Sequence, residues 1–158
     1  MTAKDAFSEE EWKRVVRAPF VAGIAITLAD PGGPIEAAKE TMASIKAATN
    51  PPSREQLVSE IALDIQAQVQ VHHNPVKGYR PTGSTPPGEQ ILQEIREVCA
   101  IVSERATPEE ASAFGDWLVA TAEDAANAAK EGGFMGFKAQ LVSERESDMI
   151  EKVRAAVS

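Results

Sequence analysis

Four times along this chain a serine or threonine is followed three residues later by glutamate or glutamine, each pair standing ahead of a run with apolar residues at helical spacing. The pairs are Ser8/Glu11, Ser53/Gln56, Thr107/Glu110 and Ser143/Glu146. In such a capping box the hydroxyl accepts the backbone N–H three residues on, and the acid or amide reaches back to the first residue's N–H. Phe7 and Trp12 add the spacing of a hydrophobic staple at the first box. Pro108 takes the first helical position at the third, where its missing N–H does no harm. The chain is thereby committed to helices with defined starts, and no segment alternates with period two for long enough to form a sheet.

Read in this way, a first helix runs from about Glu9 to Arg17 and is broken or kinked near Pro19, after which about Phe20 to Ala29 forms a second, more buried helix. The turn Asp30-Pro31-Gly32-Gly33 precedes a helix from Pro34 to about Thr49, which Asn50-Pro51-Pro52 stops. The next, about Arg54 to Gln70, places Leu57, Val58, Ile61, Ala62, Ile65 and Val69 on one face. From about Glu89 to Glu104 the residues Ile91, Leu92, Ile95, Val98, Cys99 and Val102 make a broad apolar stripe. An alanine-rich helix spans Pro108 to Glu131 and stops at Gly132-Gly133, and a last one spans Glu144 to Val157. The expected fold is an all-α, single-domain bundle of six to seven helices over residues 1–158, with the short helix Phe20 to Ala29 buried at its centre. A chain of this length buries about 68–70% of its unfolded surface without disulfides or metals.

One long irregular stretch, Val71 to Gly88, interrupts the helices. It holds both histidines, the only tyrosine, four of the ten prolines and no acidic residue. Its Lys77 and Arg80 leave 14 basic against 24 acidic residues in the rest of the chain, so the loop is locally positive on an acidic protein. Long loops inside compact domains are either functional or disordered. His72, His73, Lys77, Tyr79 and Arg80 form a hydrogen-bonding, cationic cluster suited to a carboxylate, a phosphate or an acidic partner segment. A second candidate is Gly132-Gly133-Phe134-Met135-Gly136-Phe137, in which Phe134, Met135 and Phe137 either cap the core or face a partner or small apolar ligand.

The chemistry-bearing patterns are sparse. No Glu-x-x-His, His-Glu-x-x-His or Cys-x-x-Cys accompanies the histidine pair, so neither a metal nor another cofactor is expected. There is no Gly-x-x-x-x-Gly-Lys phosphate loop, and Asp30 and Glu36 oppose anion binding at the Asp-Pro-Gly-Gly turn. Asp116, Glu123 and Asn127 share a helix face with Lys130, the pattern of a solvated stripe. Cys99 reads as a buried small hydrophobe and fits a reducing, cytoplasmic setting. A net charge of −8 and a pI near 4.8 disfavour nucleic acid. The most apolar run, Ala18 to Ala29, is too short to cross a bilayer, so no stable membrane insertion is expected. These readings argue against catalysis.

Two stretches, FSEEEWKRVVRAPFVAGIAITLADPGG and GGFMGFKAQLVSERESDMI, resemble an uncharacterised family of small bacterial all-helical proteins. Its marks are an Ala-Pro-x-x-x-Gly helix before an Asp-Pro-x-Gly turn, and a Gly-Phe-x-Gly-Phe hinge before a Val-Ser-x-x-Glu cap. The pattern is also faintly similar to TerB-like helical bundles, although the aspartate-glycine pairs of their metal sites are missing. The resemblance implies a helical fold and no particular activity. Two functions remain open at this point. One is a non-catalytic interaction protein, homo-oligomeric or bound to another protein, using the alanine-rich helix or the basic loop. The other is a small-ligand or anion binder, or an enzyme, built on residues 72–80.

Overall fold

The computed structural model describes residues 3–29, 45–51, 55–72, 87–131 and 144–157, and every regular element among them is helical. A 3-10 helix, Ala3–Ala6, is followed by α1 (Glu9–Ala29), α2 (Gln56–Gln70), α3 (Pro87–Arg105), α4 (Pro108–Glu131) and α5 (Glu144–Val157). Residues 45–49 add one further helical turn. The bundle is organised on α1 and α4, each of which touches the other and all three remaining α-helices. α3 and α5 also pack on each other, whereas α2 lies at an edge against α1, α4 and the 3-10 helix. One hydrophobic core joins all five, and its largest fully enclosed side chains include Trp117, Phe114, Ile26, Leu57, Ile61, Ile65, Ile91, Ile95 and Leu118.

The expected break at Pro19 does not occur: α1 runs through it as a single helix of 21 residues. The apolar segment read as a separate central helix is therefore the second half of α1. An internal proline forfeits one backbone hydrogen bond and clashes with the preceding turn, at about 3 kcal/mol or more. Against this, Ala18, Phe20, Val21, Ala22, Ala25 and Ile26 are all buried. Each large aliphatic side chain so buried contributes about 1.5–3 kcal/mol, so packing outweighs the local cost.

Helix starts follow the local code where they can be seen. At α1 the Glu11 N–H donates to Ser8 Oγ (3.1 Å) and the Ser8 N–H to Glu11 Oε1 (2.8 Å), with Phe7 and Trp12 ring centres 5.7 Å apart. The start of α2 is set differently. It takes Glu55 as N-cap with no side-chain cap of its own, two residues beyond the expected box, whose Ser53 lies outside the described residues. Its Leu57 N–H instead donates to Glu110 Oε2 (3.0 Å). Glu110 belongs to the first turn of α4, where its own N–H donates to Thr107 Oγ1 (3.1 Å) and the Thr107 hydroxyl donates to Glu110 Oε1 (3.2 Å). One carboxylate thus serves the N-termini of two helices, the end of each dipole that favours negative charge. Ser143 likewise lies outside the described residues, and its partner Glu146 is a buried carboxylate in the first turn of α5.

Long-range polar contacts fix the edges of the bundle. The Trp117 indole N–H donates to the Ala47 carbonyl (2.8 Å), tying the 45–49 turn to α4, and Gln66 donates to the Thr49 carbonyl (3.1 Å) from α2. The Trp12 indole donates to Asp64 (2.7 Å), while Lys4 lies over the Trp12 ring and gives its backbone N–H to Glu60 (3.2 Å). Between α1 and α3 the Arg14 guanidinium grips Glu94 through two nitrogens, at 3.1 and 2.7 Å. A half-buried two-point pair of this kind fixes helix orientation more firmly than an exposed single contact.

Glu110→Ala should cost about 1–3 kcal/mol in denaturant unfolding, because it strips acceptors from two helix starts at once. Amide exchange at Leu57 should accelerate selectively, and exchange unchanged there would show that the cross-helix cap has no energetic role. Acid should act at the other cap. The Ser8 backbone bond, reinforced by Arg105, holds the Glu11 carboxyl below the ordinary glutamate range. That stabilisation is complete above the unfolded value near 4.5 and is lost as pH falls through the lower folded value. Glu11→Gln should therefore flatten the acid limb of the stability profile, and an identical limb in both proteins would refute the assignment.

Candidate functional site

Of the cationic cluster expected at residues 72–80, His72 alone is described; His73, Lys77, Tyr79 and Arg80 lie outside the described residues. His72 has a structural task. Its φ of 60° places it in the left-handed region just beyond α2, and its N–H donates to the Val69 carbonyl (3.0 Å). It ends the helix in the position glycine usually takes, with its imidazole exposed. Pro87 and Gly88, read from the sequence as part of the irregular stretch, belong to α3. Phe134, Met135 and Phe137 fall outside the described residues as well.

The alanine-rich helix has an enclosed side and an exposed one, the latter carrying Ser112, Asp116, Asp124 and Asn127. Ala122, Ala125 and Ala126 of α4 are fully enclosed in the core, so its small side chains serve close packing inside the bundle. Gly115 does the same toward α5, since a Cβ there would stand 3.2 Å from Val157 Cβ. The close approach of the two helices leaves a groove along their outer edge. One hollow of about 400 Å³ is lined by Ser112, Gly115, Asp116, Val119, Glu123 and Arg154. A second, of about 270 Å³, includes Asn127, Ser147, Ile150 and Glu151 and shares Glu123 and Arg154. The stripe read on α4 thus has a partner from α5, which sequence spacing within one helix could not indicate.

The electrostatics of the groove are settled internally. Arg154 pairs with Glu123 across the helices (3.0 Å) and with Glu151 along its own (3.4 Å), which raises its already high pKa. Partial desolvation and the charge of Glu123 push the neighbouring Asp124 carboxyl up, with Lys46 offsetting part of the effect. Asp116, Glu123 and Glu151 outnumber the single guanidinium, so the groove repels rather than attracts anions. Among the described residues no three of His, Cys, Asp and Glu converge in a way that would hold a metal ion.

Cys99 packs against the core and is partly buried rather than fully enclosed. Burial pushes its thiol up to about 12, far from the thiolate that nucleophilic chemistry requires. Within the described residues no helix is long and apolar enough to cross a membrane.

The surface feature that the sequence reading passed over is the outer face of α2. Leu63 is 64% exposed and Val71 is 72% exposed, and Ala67 between them is exposed too. These residues stand at i, i+4 and i+8, opposite the buried stripe Leu57, Val58, Ile61, Ala62 and Ile65. Leu63 was available as a signal, being a large apolar residue that does not fit the helix's inward stripe.

Comparisons of the chain with family models, with curated proteins and with solved structures found no match. The similarity to TerB-like bundles gains no support beyond the short motifs that carry it.

In the native protein Cys99 should react with a thiol reagent at pH 8 at least about a hundredfold more slowly than in the unfolded chain, since the thiolate fraction falls tenfold per unit of pKa. Rapid labelling without denaturant would overturn the buried-thiol assignment.

Proposed function

We propose that this is a non-catalytic interaction protein of a reducing cytoplasm that acts by self-association. The observation carrying this reading is the pair of large apolar side chains, Leu63 and Val71, left exposed along one face of an edge helix. Large apolar groups grouped on one face mark contact sites more often than isolated ones do. The chemical groups at hand favour the same reading. The Cys99 thiol is held far from its reactive form, the Arg154 charge is matched by two carboxylates, and Asp64 accepts from Trp12 and Gln68. Such groups serve the packing of the bundle, which supports a contact role.

Sedimentation velocity over a wide range of protein concentration should show a reversible rise in mass from monomer to dimer. Thermal unfolding midpoints should not move with phosphate or simple carboxylates at millimolar concentration. A constant monomer mass together with clear stabilisation by an anion would replace this reading with that of an anion binder.

A further inference from the structure

We infer that the outer face of α2 is the contact between two copies of this chain, with the two α2 helices antiparallel and Leu63 of each set against Ala67 of the other. The inference rests on the self-association reading and names its surface and geometry. α2 is the helix with room for it. Its inner side is covered by α1, α4 and the 3-10 helix, and its outer side carries Ser59, Leu63, Ala67, Gln70 and Val71.

Charge identifies the occupant. The chain carries a net charge of −8, so two copies repel wherever charged faces meet. From Ser59 to Val71 α2 has two ionisable residues, Glu60 and Asp64, and both are engaged from within the same chain. Glu60 accepts the Lys4 backbone N–H and the Gln56 amide (2.8 Å). Asp64 accepts the Trp12 indole and the Gln68 amide (3.1 Å) and lies 3.9 Å from Lys4 Nζ. What remains outward is apolar, hydroxyl or amide.

A two-fold contact sets one surface against its own copy, so it must be self-complementary. Charged faces fail that requirement because like meets like. Apolar groups meet it, and so does an amide, which donates and accepts at once. With Leu63 opposite Ala67 of the second copy, the register brings Val71 opposite its Ser59, so the apolar and hydroxyl groups of the two faces meet. The small Ala67 leaves room for the leucine. A 15-residue helix is about 22 Å long at 1.5 Å per residue, so the contact falls in the small, reversible class below about 1,200 Å² in total.

The test uses the full chain. Leu63→Glu substitutes an exposed position and should leave the thermal midpoint unchanged while raising the dimer dissociation constant by more than about tenfold, because each dimer buries two copies of the leucine. Ala67→Cys should be cross-linked to its twin by a short bis-maleimide, whereas Ala155→Cys, exposed on α5, should not. If the wild-type chain dimerises but Leu63→Glu dimerises equally and Ala67→Cys stays uncross-linked, the α2 assignment falls and self-association through another face stands. A wild-type chain that is monomeric at every concentration overturns both and leaves the face to a different protein.

Discussion

From Ala18 to Ile26 every residue of α1 except Ile24 is buried, so the second half of this helix has no polar face to turn to solvent. An α-helix enclosed in this way must be surrounded, and four other helices are needed to do it. The apolar surface removed from water at Val15, Val21, Ala22, Ala25 and Ile26 is the driving term. Pro19 can sit inside α1 because its backbone cost is local, whereas the burial it would interrupt is spread across all four neighbours.

The acidic balance of the chain acquires a structural meaning in this setting. Glu110 accepts the Leu57 N–H at the start of α2 and the Thr107 hydroxyl at the start of α4, Glu11 caps α1, Asp64 holds the Trp12 indole, and Glu94 takes the two-point grip of Arg14. At Leu57, Trp12 and Arg14 the carboxylate satisfies a partly buried donor, whereas the bonds from Ser8 and Thr107 are exposed caps. Bonds to charged acceptors are worth about 1.5–3 kcal/mol, roughly twice a neutral pair, and an orphaned buried donor costs a comparable amount. A bundle with long helices and few aromatic residues therefore uses negative charge as its joinery.

What could be read from the sequence is what local chemistry decides. The start of α1 at Glu9, the start of α4 at Pro108 and both ends of α5 stand where capping and turn residues placed them. Pro19 misled because its local penalty is visible in a sequence and the tertiary burial opposing it is not. The cap on Leu57 was illegible for the same reason, since its acceptor is Glu110, 53 residues away. The pairing of Glu123 with Arg154 spans 31 residues and gave no periodic trace. Leu63 is different. Its position outside the inward stripe of α2 was legible, but only the structure shows that among the described residues no helix packs on that side.

The placement of a neutral face on an edge helix links these points. An acidic protein gains solubility from its net charge and loses the ability to approach itself over most of its surface. On α2 the carboxylates Glu60 and Asp64 hold the N-terminal segment, through Lys4 and Trp12. The contacts that dock the N-terminal segment on α2 thus engage both of these carboxylates. Release of the N-terminal segment would take away the Lys4 and Trp12 donors, while Glu60 keeps the Gln56 amide and Asp64 the Gln68 amide. The docking of the N-terminal segment on α2 and the proposed α2 contact therefore draw on neighbouring residues of one helix, Glu60 and Asp64 beside Leu63.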